Sequence, residues 1–137
     1  MLRDDPGKAI EYLREEDCEM LVSSTNFDED YVCMPDVKAW ADGNAQESGR
    51  SKCYINTGVY IARKEFLREL LTATLEYVTT DDLSREEYKR LRRAGTLCET
   101  LAEFPKGVGC DQVIIRSLHP RFYPRLKVDY KERLALR

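Results

Sequence analysis

The sequence predicts a mixed α/β fold, and three observations predict it. Apolar residues at 66, 67, 70, 71, 75 and 78 fall on one face at the period of an α-helix. CYINTGVYIAR, 53–63, is rich in the β-branched and aromatic residues that favour strands. Helix-like and strand-like segments are interspersed along the chain, so the class is mixed. A length of 137 residues and a mass of 15.9 kDa suit a single domain, 1–137, with one modest core.

Each element has its own signal. Asp4-Asp5-Pro6-Gly7 starts a short helix, with proline at its first position and Ile10 and Leu13 as its apolar stripe. EMLVSS, 19–24, reads as a short buried strand running into Ser23-Ser24-Thr25-Asn26. Residues 26–52 are polar and irregular, with Pro35, Gly43 and Gly49, and predict a long loop of the kind that carries function. In the next strand, Gly58 marks a bulge or a close approach by a ligand or another backbone. If that strand is regular, Tyr54, Asn56, Gly58 and Tyr60 share one face. After the helix of 66–78, Ser84 and Glu87 form a capping box opening a second helix to about residue 103. Asp111 opens a third, DQVIIRSLH, closed by Pro120 with His119 as a C-cap partner. PRLKVDY alternates as a strand, and KERLALR is a basic tail.

Net charge is −3, unevenly spread. Residues 1–50 hold 5 basic and 13 acidic side chains, residues 51–115 hold 10 of each, and residues 116–137 hold 7 basic and 2 acidic. The basic end points either to an anionic ligand or to a solvated arginine-rich tail. An acidic chain whose aromatic residues do not interleave with basic ones argues against nucleic acid. No apolar run approaches membrane-spanning length, and MLRDDPGK has neither a signal nor a transit pattern. Five cysteines without C-x-x-C spacing, and one histidine, make zinc improbable. Free, mostly buried thiols in a reducing compartment are expected, with one disulfide open if the protein is secretory. There is no P-loop, no G-x-G-x-x-G and no nucleophile constellation.

Four segments resemble, in matching order, the fold-A (GT-A) glycosyltransferases, in particular the glycosyltransferase domains of lysyl hydroxylases and procollagen galactosyltransferases. YINTGVYIARKEFLRELL looks like the family's L-N-[ST]-G-x-[FY]-[IL] strand, and GCDQVIIRSL is similar to its D-D-Q helix. MLVSSTNFDEDYVCMPD resembles its strand leading to C-x-P-D, and YPRLKVDYKERLALR its closing L-D stretch. The resemblance implies a partial GT-A mixed sheet with flanking helices: the acceptor-side half, without the N-terminal nucleotide-binding half. About 100 further residues upstream would then carry a D-x-D motif holding manganese on the sugar diphosphate, so the metal's ligands lie mostly outside this chain. LRDDPGKAIEYL is similar to the family's short turn and helix just beyond that motif, and Asp4-Asp5 is read as a helix start rather than as metal ligands.

By the same resemblance, Asp111 would be the catalytic carboxylate, a base if the configuration is inverted or an orienting group if it is retained. Asn56, Thr57 and Gly58 would meet sugar or acceptor, Gln112 would support Asp111, and Asp129 would match the acid of the late strand. The family often places a metal-binding histidine directly after that acid, where this chain has Tyr130. Arg125 and the cations to 137 would meet the diphosphate. The donor implied is a nucleotide sugar, most simply a UDP-sugar, and the acceptor a carbohydrate or protein hydroxyl. The purely structural roles stand beside these: Asn56 satisfying a turn, Asp111 capping its helix, Asp129 pairing with Arg125 or Lys131. The alternative is a noncatalytic or degenerate transferase-like binding or oligomerisation module, a homo-oligomer completing its sheet with a second chain. The odd cysteine count favours the cytosol, while the resemblance allows a secretory route.

Overall fold

The computed structural model describes residues 5–31, 34–76, 85–94 and 111–135. Its centre is a three-stranded mixed sheet in the order β2-β1-β3. Strand β1 (Met20–Thr25) pairs antiparallel with β2 (Tyr54–Ala62) and parallel with β3 (Leu126–Val128). A central strand is covered on both faces, which is why β1 reads MLVSS with no charge.

One face of the sheet presents Met20, Val22, Ile55, Leu126 and Val128. Against it pack Phe66 and Leu70 of α3 (Lys64–Leu75), and Ile114, Ile115, Leu118 and Phe122 of α5 (Asp111–Phe122). On the other face Leu21 meets Ala9 and Leu13 of α1 (Pro6–Glu15), together with Cys18 and Leu134. A third cluster joins Tyr31, Met34, Ala41, Tyr54 and Val113 beside α2 (Pro35–Glu47). Helix α4 covers Arg85–Ala94; the capping box at Ser84 and the remainder of the helix predicted to 103 lie outside the described residues.

Helix α1 starts as its sequence requires. Asp5 accepts the Gly7 N–H at 2.8 Å and Pro6 occupies the first helical position. Its buried stripe is Ala9 and Leu13, four residues apart, so Ile10, one residue round the helix, is half exposed. In α3 likewise the buried positions are Phe66, Leu70 and Ala73, and Leu71 and Leu75 point outward.

The predicted loop at 26–52 is largely helical. A 3-10 turn at Glu29–Tyr31 precedes α2, whose buried face is made of small residues, Ala41 and Ala45. It stops in a Schellman turn: Gly49 adopts φ 72, its N–H reaches the Gln46 carbonyl and the Arg50 N–H reaches the Ala45 carbonyl. Pro120 does not close α5, which runs on to Phe122. The ring removes one N–H in the final turn, and the Tyr123 N–H still bonds the His119 carbonyl. His119 is buried against Trp40, centroids 4.7 Å apart edge-to-face, and so belongs to the core rather than to a cap.

As far as it is described, to residue 135, the basic C-terminal segment is packed and ion-paired rather than a free tail. Leu134 and Ala135 are buried. Arg133 bonds Glu16 at 2.8 Å, pairs with Glu15 and lies 4.5 Å over the Tyr12 ring. Lys131 stands 3.6 Å from Glu16, and Arg125 pairs with Glu19. The acidic beginning of the chain is the partner of its basic end.

Candidate functional site

The carboxyl ends of the parallel strands β1 and β3 and the start of β2 share one edge of the sheet, the edge where α/β sheets bind ligands. At this edge the β1–β2 ladder is interrupted. Val22 pairs with Tyr60 and Ser24 with Ile55, so Ser23 alone stands opposite Asn56 to Val59. The strand is therefore not regular: Tyr54 is buried while Tyr60 is 47 % exposed, and the two do not share one face.

Local hydrogen bonds shape the bulge. Ser23 Oγ donates to the Asn56 carbonyl at 2.9 Å. Asn56 Oδ1 accepts the Gly58 N–H at 3.0 Å. A Cβ at position 58 would stand 3.1 Å from that same oxygen, which is why glycine fits here.

The first turn of α5 meets the bulge. Thr57 N–H donates to Gln112 Oε1 at 3.2 Å, and Gln112 Nε2 donates to Asp30 Oδ2 at 2.9 Å. Arg116, one turn further along α5, lies fully buried with Nη1 3.7 Å from Asp30. Its Nε and Nη2 donate to the Ile55 carbonyl at 3.0 and 2.7 Å, and Nη2 also donates to the Phe27 carbonyl at 2.9 Å. The Tyr31 ring covers the guanidinium at 4.8 Å. Burial raises the Tyr31 hydroxyl above its usual range, against the opposing pull of Arg116, so it is neutral at physiological pH. Thr57, Gln112, Asp30, Arg116 and Ile55 thus form one continuous polar network under the bulge.

Asp111 is exposed at the first position of α5, accepting the Gln112 N–H at 2.9 Å. A carboxylate there faces the positive end of the helix. Through the Thr57–Gln112 hydrogen bond, the segment Asn56–Gly58 meets the first turn of α5, which Asp111 opens. Arg125 is held elsewhere, and Asp129 follows β3 at this same edge, its N–H bonding the Val22 carbonyl, but commits its carboxylate to the C-terminal segment. Asp129 is buried, its Oδ2 accepting the Leu134 N–H at 2.7 Å and its Oδ1 lying 3.9 Å from Arg133 Nε, so its partners are Arg133 and the α1 cluster. Arg125 stands at the opposite edge, where its carbonyl accepts from Glu19 and Met20. Its guanidinium forks onto Glu69 at 3.0 and 2.6 Å. Among the described residues no three His, Cys, Asp or Glu side chains are gathered to hold a metal. No helix among them is long and apolar enough to cross a membrane.

Two groupings of polar residues are not among the sequence expectations, although Tyr54 by itself is. Arg116 had a signal, a cation within the apolar run VIIRSL four residues after Gln112. The second group lines a hollow of about 240 Å³ between α2 and the start of β2: Asp28, Lys38, Asp42, Gln46, Ser51, Lys52 and Tyr54. There Tyr54 Oη donates to Asp42 Oδ1 at 2.6 Å and Lys38 Nζ donates to Oδ2 at 3.0 Å. Burial alone would raise the Asp42 carboxyl, but these two hydrogen bonds outweigh it and hold it below its usual value. The bond to Asp42 raises Lys38 in turn. Its signal is the i, i+4, i+8 spacing of Lys38, Asp42 and Gln46, which an irregular loop over 26–52 would not display.

A scan against family models finds no match to this chain, and neither the curated proteins nor the solved structures contain one.

Proposed function

We propose that this chain is the acceptor-side half of a GT-A-like glycosyltransferase, moving a sugar from a nucleotide-sugar donor to an acceptor hydroxyl. The observation that carries the reading is the Thr57–Gln112 hydrogen bond. It joins, across 55 residues of sequence, the two segments in which the resemblance is most specific. Asp111, exposed beside that contact, is the carboxylate available to take the acceptor's proton, or to orient the sugar if configuration is retained. Asn56 spends its oxygen on Gly58, so its amide nitrogen is the group that meets a sugar hydroxyl. The donor is a UDP-sugar in the simplest case.

A noncatalytic module is the second reading, favoured by a specific feature. Gln112 uses both ends of its amide on Thr57 and Asp30, so it is engaged in holding the bulge. Release of UDP from UDP-glucose and UDP-galactose, with manganese and water or a sugar as acceptor, separates the two in the full-length protein. Asp111→Asn is expected to abolish release while leaving the circular dichroism and melting temperature unchanged. Wild-type turnover in that variant, or no release by the parent protein with any donor, overturns the transferase reading.

A further inference from the structure

We propose that the hollow between α2 and the start of β2 binds one small polyhydroxylated molecule without net charge, a monosaccharide or a cyclic polyol. It does not rest on the transferase reading, because a module that transfers nothing can still fill this site.

The lining argues for the class of ligand. Two carboxylates, Asp28 and Asp42, and two ammonium groups, Lys38 and Lys52, share the hollow, so its formal charge is zero. Lys38 sits 3.0 Å from Asp42 and 4.0 Å from Asp28. An incoming phosphate or carboxylate that took Lys38 would have to displace carboxylates already in place, and it would meet Asp28 and Asp42 as like charges. A ligand cation would compete with Lys38 for the same oxygens. Hydroxyl groups need neither exchange. Each hydroxyl both donates and accepts, and the hollow offers both: the Asp28 carboxylate accepts, Lys38 donates, and the Ser51 hydroxyl and Gln46 amide do either.

Size and rigidity point the same way. About 240 Å³ falls below the range of roughly 300–1,000 Å³ typical of drug-sized ligands, and suits a single ring. The floor is pre-organised. Tyr54 is buried, and its hydroxyl and the Lys38 ammonium hold Asp42 by both oxygens. Lys38, Asp42 and Gln46 succeed one another at one-turn spacing along α2, so the wall is a helix face rather than a set of loop tips.

The test is an amide NMR titration of the 137-residue chain with glucose, galactose, mannose and myo-inositol, and separately with inorganic phosphate and glycine. The expected result is saturable movement of the Lys38, Asp42, Gln46, Ser51 and Lys52 amides with at least one sugar or the polyol. Asp28→Ala and Gln46→Ala, both near the rim, are expected to weaken that binding about tenfold each while the remaining spectrum keeps its dispersion. No saturable movement with any sugar or polyol overturns the proposal. So does phosphate or glycine moving these amides when sugars do not, or sugar binding that both variants leave unchanged.

Discussion

Arg116 brings a full positive charge into a fully buried position, and two carbonyls, a carboxylate and an aromatic face make that position tenable. Arg116→Ala is expected to lower the unfolding free energy by about 3–5 kcal/mol, because it strands Asp30 and the Ile55 carbonyl together. Urea unfolding measures it, and a loss below about 1 kcal/mol would show that the network is not what holds the bulge. His119 makes a prediction of the opposite kind. Burial depresses its pKa from 6.5 to about 4, against a hydrogen bond to the Leu126 backbone, so the folded protein keeps it neutral. Between those two values the unfolded chain binds a proton that the folded chain does not. Stability is therefore complete above about pH 6.5 and falls as pH drops towards 4, by on the order of 3 kcal/mol. Thermal melts from pH 7 to pH 4 check this, and His119→Phe should flatten most of that slope. The arginine was legible as an anomaly in an apolar run. Its partners were not, because the Ile55 and Phe27 carbonyls are backbone atoms that leave no mark in a sequence.

Among the elements, the interrupted ladder between β1 and β2 offers the sharpest test of why a residue is where it is. Gly58→Ala pushes a methyl against Asn56 Oδ1 and is expected to cost about 1 kcal/mol by spoiling the turn. In an Asn56→Ala background the obstacle is gone, and the same change should become neutral or mildly stabilising, since alanine loses less chain entropy than glycine. Four urea curves give the cycle; strictly additive effects would remove the close approach as the explanation. The strands at 20–25 and 54–62 and the helix from 111 were readable because branched residues and a terminal aspartate state their preferences locally. Helix α2 was not, because its buried stripe is made of alanines, which hydropathy ranks weakly, and Gly43 within it reads as a break. The true stop is Gly49, six residues on, where φ is positive. The Thr57–Gln112 contact was not legible from residue type, since nothing in either segment's composition specifies the other; only the resemblance set the two segments side by side.

For the molecule as a whole, the segregation of charge along the chain is resolved by folding. The acids of α1 and the residues just after it receive the arginines and lysine from the C-terminal segment around and beyond β3. Exposed ion pairs contribute little singly, but Arg133 also packs on Tyr12 and stands beside the buried Leu134. Arg133→Ala is expected to raise the amide exchange of α1 by about tenfold while β1 exchanges as before. Equal protection of α1 in the variant would mean that Ala9 and Leu13 hold the helix unaided. The parallel pairing of Met20 with Leu126 has a temporal consequence. While the chain is being synthesised, β1 leaves the ribosome long before β3, the strand that covers its second side. Until β3 emerges, β1 carries an open edge that its pairing with β2 cannot close, a window in which a chaperone or a neighbouring nascent chain competes for the position that β3 finally takes.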